Sequence, residues 1–333
     1  MKRREFIGLM GGAAAAWPLA SHAQAPRNPH RIALVHSGIP ANKLTETTGP
    51  FWIRRFHETL RALGDVEGSN LVIDRYSAEG RSELFAPLAA DVVGGKPDII
   101  ISNLNDLIAA FVAATTTIPI VAIMGDPIAG GFVTNLARPG GNLTGVSINA
   151  GIEIQAKRLE ILKEAMPAAT KVVHLLSGAW DDGTGKSIAE AGRHLGLAVT
   201  ETKLVVVDGE KLRRAFAEMA EQKVDAAMID EGGSFLAQRA AIVELAAKHR
   251  IAVIYPYRDY AEQGGLIAFA PDLGELAQRM ANDVHQILGG ARAGDIPFYQ
   301  PSKFQLIINM KAAKALGFSL PPALITRADE VIE

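Results

Sequence analysis

The stretch from Asp98 to Pro127 constrains the fold of this 333-residue chain more than any other. It holds two short apolar runs, at 99–101 and 118–124, and both are rich in β-branched residues. Neither run alternates with polar residues, which is typical of strands covered on both faces in a parallel sheet. The Ala-rich segment 107–114 between them is long enough for the crossover helix. The stretch therefore predicts a β-α-β unit.

Small polar residues follow both of these strands. Ser102, Asn103 and Asn105 stand after the first, and Asp126 stands after the second. Ligands of open parallel α/β sheets bind just beyond the carboxyl ends of the strands. We therefore predict that these four residues belong to half of a binding site. The alternative for each of them is a purely structural role as an ordinary loop or helix-cap residue.

The alternation of strands and helices occurs twice along the chain. Residues 31–147 contain five predicted strands, and the pattern restarts at 153 and continues to 255, which indicates two doubly wound α/β lobes. The segment from 266 onwards has too few elements for a third domain, so we expect it to complete the two sheets. We assign 30–147 plus 258–295 to lobe one and 148–257 plus 296–333 to lobe two. This division requires the chain to cross between the lobes more than once.

Further candidate residues follow the other predicted strands. The group consists of Ser37 after the first strand and Trp180, Asp230, Glu231, Tyr255 and Tyr257 in the second half. Aromatic residues at such positions are typical of ligand pockets. Core packing is the alternative for the three aromatic residues, and simple solvation is the alternative for the two acids.

Composition excludes several functional classes. The 34 Lys and Arg nearly balance the 36 Asp and Glu, so the chain has no basic field for nucleic acid. With no cysteine, the chain has no disulfide, no zinc thiolate and no cysteine nucleophile. The eight histidines lack metal-ligand spacing. We expect neither a metal nor a cofactor.

The first 23 residues predict an export signal. Arg3 and Arg4 precede an apolar Gly/Ala-rich run at 8–19, and Ser21 and Ala23 offer the small residues of a cleavage site. The paired arginines favour the twin-arginine (Tat) route. The run is shorter than the roughly 20 residues of a spanning helix, which disfavours the alternative of a membrane anchor. We expect a periplasmic chain that begins near Gln24.

Two motifs begin like catalytic signatures and then depart from them. Gly183 to Ser187 resembles the end of a phosphate-binding loop, but Trp180 stands where the first glycine is required. His57 and Glu58 begin like a zinc-protease helix, but Arg61 replaces the second ligand. A serine hydrolase stays open as an alternative, because its triad assembles in space and not in sequence.

Several segments, in their order and spacing, resemble the TrpX-like (tryptophan/tyrosine-type) family of ABC-transporter substrate-binding proteins. The resemblance covers nearly the whole chain. The matching segments lie at 3–7, 64–70, 115–121, 125–127, 136–145, 157–160, 245–250 and 328–333.

This resemblance implies a type I periplasmic-binding-protein fold. In that fold two Rossmann-like lobes are joined by a three-segment hinge and enclose the ligand. The resemblance also implies delivery to an inner-membrane ABC permease and no catalysis by this chain. By position it carries amino-acid recognition onto Asn103, Asn105 and Asp126. The loops at 102–106, 177–182 and 230–233 depart from the family pattern. These departures lie at the inferred cleft, so they affect the expected identity of the ligand and not the expected fold.

The sequence thus leads to the hypothesis of a monomeric periplasmic solute-binding protein of an ABC importer. Its ligand is expected to be a small carboxylate-bearing molecule, either an amino acid, aromatic or not, or a related organic acid. Two alternatives remain open. One is a periplasmic hydrolase on the same fold, and the other is a ligand-sensing partner of a membrane receptor.

Overall fold

Two β-sheets, each with helices on both faces, build the protein as two α/β lobes. The structure is a computed structural model and describes residues 29–148, 152–177 and 184–333. The predicted export signal and Trp180 lie outside the described residues.

The first sheet has five strands, all parallel, in the order β2-β1-β3-β4-β5. Its strands are β1 (His30–His36), β2 (Leu71–Ser77), β3 (Ile99–Asn103), β4 (Ile120–Met124) and β5 (Leu143–Ser147). The helices between them are α1 (Phe51–Ala62), α2 (Phe85–Gly94) and α3 (Asn105–Ala114).

The second sheet has seven strands in the order β12-β11-β10-β9-β8-β6-β7. Its strands are β6 (Lys171–Ser177), β7 (Ala198–Leu204), β8 (Ala226–Ile229), β9 (Ala252–Tyr255), β10 (Ile267–Pro271), β11 (Phe304–Asn309) and β12 (Glu330–Ile332). The remaining helices are α4 (Ile152–Ala165), α5 (Thr184–His194), α6 (Gly209–Glu221), α7 (Gly233–Ala237), α8 (Arg239–His249), α9 (Arg258–Glu262), α10 (Leu273–Leu288), α11 (Met310–Leu316) and α12 (Pro322–Arg327). Among the described strands of this sheet, the one antiparallel pairing joins β10 and β11, so β11 and its parallel neighbour β12 run opposite to the other five strands.

Strands β6 to β10 repeat the spatial order of β1 to β5. In each lobe the first strand lies between the second and the third, so the connections leave it in opposite directions. Such a topological switch point opens a crevice at the carboxyl ends of the two central strands. The molecule therefore has two candidate crevices, one between β1 and β3 and one between β6 and β8.

The β-α-β unit predicted at 98–127 forms β3, α3 and β4. Ile100 of β3 packs against the core on one face of the sheet, and Ile101 packs against the core on the other face. Both side chains are at most 2% exposed. This burial on both faces explains why the sequence of β3 is apolar throughout and does not alternate.

The lobe boundaries differ from those expected at 258 and 296. Strand β10 pairs with β9 and β11 and so belongs to the second sheet, although it falls within the 258–295 segment assigned to lobe one. Helix α10 does pack on the first sheet, through Leu276, Met280 and Val284. Ile296, which was assigned to lobe two, is buried in the same core. The physical reason is that a short apolar strand carries no local signal of which sheet it joins, and β10 is fixed only by its pairing with β9 on one side and β11 on the other.

The chain crosses between the lobes three times. The crossings lead from β5 to α4, from β10 to α10, and from Tyr299, which bridges to Val146 of β5, to the start of β11. Each crossing departs from or arrives at the carboxyl edge of a sheet, so the two carboxyl edges meet at the crossings. Ile148, in the first crossing, contacts the cores of both lobes.

Gly145 allows β5 to lie close against β4, at the point where the third crossing also bonds to β5. Its φ of 141° lies in a region that other residues rarely adopt, and a Cβ there would lie 2.0 Å from the carbonyl oxygen of Ala122. The carbonyl oxygen of Gly145 accepts a 2.8 Å hydrogen bond from the N–H of Tyr299. A glycine is therefore required where β4, β5 and the crossing segment converge.

None of the helices among the described residues has both the length and the apolar character needed to cross a membrane.

Candidate functional site

The switch point of the first lobe is closed by a pair of hydrogen bonds between Ser37 and Asn103. The backbone N–H of Ser37 donates to Asn103 Oδ1 at 2.8 Å, and Asn103 Nδ2 donates to Ser37 Oγ at 3.0 Å. Ser37 directly follows β1 and Asn103 is the last residue of β3. The structure thus brings together two residues that the sequence analysis predicted from separate strands.

The second lobe repeats this contact at the equivalent position. The N–H of Ser177 donates to Asp230 Oδ2 at 2.7 Å, and Ser177 Oγ lies 3.1 Å from both carboxyl oxygens. Ser37 and Ser177 each stand two residues after a paired strand position, while Asn103 and Asp230 each stand one residue after the partner position. Each crevice therefore contains a serine that is held by an amide or a carboxyl group.

Asp230 differs from Asn103 because it can ionise. Its carboxyl group also accepts the N–H of Gly232 at 2.8 Å. Burial raises the pKa of Asp230 to about 7, although the hydrogen bonds from Ser177 and Gly232 act in the opposite direction. Near neutral pH this carboxyl group therefore interconverts between a neutral form that resembles Asn103 and an anion.

The loops after β3 and β4 are also joined to each other. Asn105 Oδ1 accepts the N–H of Gly125 at 2.8 Å. Between the two asparagines, Leu104 has a φ of 70°, which costs a residue with a side chain on the order of 1–3 kcal/mol. Strained backbone of this kind clusters at functional sites. In this lobe it lies at the start of α3, between Asn103 and Asn105.

Asp126 forms a turn and keeps one carboxylate oxygen available. Its Oδ1 accepts the N–H groups of Ile128 and Ala129 at 2.9 and 3.0 Å. Among the described residues, no hydrogen-bond donor contacts Oδ2, and the side chain is half-buried at the carboxyl edge of the sheet. Asp126 is thus suited to accept a hydrogen bond from a solute.

The carboxylate of Glu231 forms an ion pair with a buried arginine. Its carboxylate contacts Arg158 Nη1 and also accepts from Gln155 Nε2 at 2.8 Å. Arg158 is only 1% exposed and donates through Nε to the carbonyl oxygen of Phe269 at 3.1 Å. Glu231 therefore compensates a buried guanidinium, in addition to any role toward a ligand.

The two predicted tyrosines are buried, and they differ in their surroundings. Tyr257 OH donates to the backbone carbonyl oxygen of Glu231 at 2.9 Å, so it supports the loop after β8. Tyr255 stacks on Tyr260 with ring centroids 4.7 Å apart and is 1% exposed inside the core. The structure does not bring Tyr255 to the crevice, because its ring faces the helices that cover the sheet.

Ser102 is 2% exposed, and its Oγ has no hydrogen-bond partner among the described residues. It therefore lies beneath the crevice and not on its surface. Two residues outside the predicted set, His36 and Trp52, place their rings 5.9 Å apart at the carboxyl edge of the first sheet. Two signals point to them, since His36 directly precedes Ser37 and Trp52 lies in the first turn of the helix that follows β1.

Taken together, the two carboxyl edges present amide, hydroxyl and carboxyl groups from one lobe toward those of the other. Such groups can bind a small polar solute between the lobes through several hydrogen bonds. The overall arrangement is that of a two-lobed solute-binding protein with a crevice in each lobe.

The chain matches the family model of the ABC transporter substrate binding proteins over residues 53–332. Because that match spans most of its length, the chain belongs to this family. The predicted family and the predicted type I periplasmic-binding fold are thereby confirmed.

Similar proteins agree with this assignment. The chain is 25% identical over 264 residues to a tyrosine-binding protein of Clostridioides difficile (strain R20291), covering 78% of this chain and 75% of that protein. It superposes with a TM-score of 0.78 on an ABC domain in complex with L-Trp from Streptococcus pneumonia, at 21% identity, covering 91% of this chain and all of that one. A conserved domain protein from Vibrio cholerae superposes with a TM-score of 0.77 at 24% identity, covering 91% of this chain and 99% of that one. These two structures support the fold.

Proposed function

We propose that this chain is the periplasmic solute receptor of an ABC importer and that it captures a small carboxylate-bearing ligand between its lobes. An amino acid is the favoured ligand, and related organic acids belong to the same class. The relative that is named for tyrosine binding supports this choice of chemistry. In this proposal the chain delivers its ligand to an inner-membrane permease and performs no catalysis itself.

One observation supports the proposal most directly, namely the repeated serine contact at the two switch points. Ser37 with Asn103 and Ser177 with Asp230 occupy equivalent positions at edges that meet at the crossings. A solute that bridges both crevices stabilises the closed form by the difference between its affinities for the closed and open forms.

Each lobe-one group has a role in this proposal. The amides of Asn103 and Asn105 orient the loops on which the ligand carboxylate is bound. The free Oδ2 of Asp126 accepts a hydrogen bond from the ligand amine. A charge-assisted hydrogen bond of this kind contributes roughly 1.5–3 kcal/mol.

Isothermal titration calorimetry on the chain from residue 24 onwards tests the proposal. The solutes are aromatic and aliphatic amino acids, aromatic acids without an amine, other small carboxylates and neutral sugars. We expect binding by at least one amino acid and a loss of about tenfold or more in its affinity in Asp126→Asn. Asp106→Asn is the matched control, because Asp106 is exposed in the neighbouring helix α3.

Two outcomes would overturn the proposal. One is the absence of binding by every carboxylate in the panel, and the other is turnover of a small ester at the crevice. The export route is tested separately by replacing Arg3 and Arg4 with lysine. If Tat carries the chain, the full-length variant stays in the cytoplasm.

A further inference from the structure

The core of the first lobe is open at its carboxyl end. The half-buried apolar residues that border it there come from the loop after β1, the first turn of α1, the end of β4 and the crossings. They are Ile39, Trp52, Ile123, Ile148, Leu273 and Tyr299. Trp52 offers the largest flat surface of this group. A core that ends in half-exposed apolar groups beside a polar crevice is typical of a ligand pocket.

The ring of His36 is fixed in orientation beside Trp52. Its Nδ1 accepts the backbone N–H groups of Gly38 at 2.9 Å and Ile39 at 2.8 Å. A nitrogen that accepts two N–H groups cannot hold a proton, so the proton of the neutral ring lies on Nε2. Desolvation also lowers the pKa of His36, to about 3, so the ring stays neutral at physiological pH.

The remaining donor of that ring, Nε2–H, has no acceptor among the described residues. The strand itself does not require an imidazole at this position. In the second lobe the register-equivalent residue is Leu176, which is half-buried at the end of β6. His36 is therefore a feature of one lobe, where its Nδ1 supports the turn after β1 and its Nε2–H is left without an acceptor among the described residues.

We infer that Trp52 and His36 form a specificity subsite of the inter-lobe cleft. In this subsite the flat apolar part of the ligand lies on the Trp52 ring, and an uncharged ligand oxygen accepts a hydrogen bond from His36 Nε2–H. The inference rests on the proposed function, because it adds residues and a chemical preference to the same cleft. The preferred chemistry is a ring that carries a hydroxyl or carbonyl oxygen.

The geometry also predicts which solutes the subsite rejects. A neutral imidazole whose only free atom is a donor cannot satisfy an ammonium or guanidinium group, which are donors as well. Burying such a cation without an acceptor is strongly unfavourable. Lysine and arginine are therefore expected to bind more weakly than ring-bearing amino acids of similar size.

The two tryptophans that follow residue 24 provide the measurement. They are Trp52 and Trp180, so the part of an emission change that Trp52→Leu abolishes reports on Trp52. Titrations of the unchanged chain use L-tyrosine, L-phenylalanine, L-leucine and L-lysine as probes, with calorimetry for affinity and fluorescence for the environment of Trp52. We expect L-tyrosine to bind and to change the Trp52 emission.

Two substitutions separate the two contacts. Trp52→Leu should weaken tyrosine binding by about tenfold, since it removes ring stacking and part of the apolar surface. Phe51→Leu is its matched control, because Phe51 is exposed beside α10 in the same helical turn. His36→Asn preserves an acceptor near Gly38 and Ile39 but does not reach the Nε2 position. It should weaken tyrosine binding by about fivefold or more while the affinity for phenylalanine stays within twofold.

The outcomes distinguish this inference from the proposed function. If a carboxylate ligand binds while the Trp52 emission is constant and Trp52→Leu retains full affinity, the subsite is refuted and the receptor function stands. Equal losses for tyrosine and phenylalanine in His36→Asn refute the hydrogen bond. If none of the four probes and no other carboxylate binds, the proposed function fails, and the subsite fails with it.

Discussion

At the scale of single residues, the most consequential interaction of the second lobe is the ion pair between Arg158 and Glu231. Arg158 is 1% exposed, and its charge is compensated at the site by a carboxylate that is itself 19% exposed. Removing one member of a buried pair leaves an uncompensated charge, which costs more than the pair contributes while it is intact. The loop after β8 therefore depends on Glu231 for stability as well as for any contact with a ligand.

Glu231→Gln tests this dependence. Glutamine has nearly the same shape as glutamate but no charge, so Arg158 becomes an unpaired buried cation. We expect the free energy of unfolding to fall by about 3 kcal/mol, measured by urea denaturation. Glu160→Gln is the matched control. Its exposed pair with Lys157 should contribute less than about 1 kcal/mol, and a similar loss in both variants would contradict the argument.

Residue identity alone was enough to predict part of the site. Polar residues after non-alternating strands gave Ser37, Asn103, Asn105 and Asp126, and the structure places them along one edge. Their binding role stays a prediction. Tyr255 shows the limit of such reasoning, because both faces of a parallel strand are apolar and the sequence does not reveal which face a tyrosine occupies.

At the scale of elements, α10 joins the tail of the chain to the first lobe and carries a buried acid. Asp283 is fully buried, and neither of its carboxyl oxygens has a hydrogen-bond partner among the described residues. Burial raises the pKa of Asp283 to about 7, and Arg279, at 3.4 Å from Oδ1, opposes this rise. The folded chain therefore holds a proton that the unfolded chain releases near its ordinary pKa of 3.8.

The sign of the pH dependence follows from this difference. Between about pH 4 and pH 7 the folded state binds more protons at Asp283 than the unfolded state does, so the contribution of this residue to stability falls as the pH rises. Asp283→Asn should remove the dependence. Relative to the unchanged chain, the variant should gain up to about 1.4 kcal/mol for each pH unit in that window.

Urea denaturation at pH 5, 6 and 7 measures this gain. Asp295→Asn is the control, because Asp295 is 72% exposed in a pair with Arg292. A difference that stays constant across the three pH values in Asp283→Asn would contradict the assignment.

The helices and strands themselves could largely be predicted from the sequence, but the lobe that each of them joins could not. The apolar residues of 273–288 recur with helical spacing and Gly289 follows them, so the bounds of α10 can be read from the sequence. Nothing in the local pattern indicates that β10 completes the second sheet while α10 covers the first. That choice is made by long-range packing.

At the scale of the whole molecule, the three crossings between the lobes define how the molecule can move. They lie at the carboxyl edges, so a change in their backbone angles alters the gap between the crevices and leaves each sheet intact. The open and closed forms should therefore differ in overall dimensions while their secondary structure is the same.

Small-angle X-ray scattering of the chain from residue 24 onwards checks this expectation. With a saturating amino acid that binds in calorimetry, the radius of gyration should decrease toward the value of about 20 Å for a compact chain of this length. Circular dichroism should not change. The same chain without ligand serves as the control and should retain the larger radius. An unchanged radius at saturation would contradict closure of the lobes.

The position of α10 late in the chain has a consequence for synthesis. The face of the first sheet that contains Ile32, Leu34 and Ile101 is covered by α1 and by α10. While the nascent chain ends between residues 147 and 273, the ribosome has produced all five strands of that sheet but not the helix α10 that covers this apolar face together with α1. Translation must therefore pass through most of the second lobe before the first can finish folding. A chain terminated early would expose the apolar face of a five-stranded sheet and would be prone to aggregate.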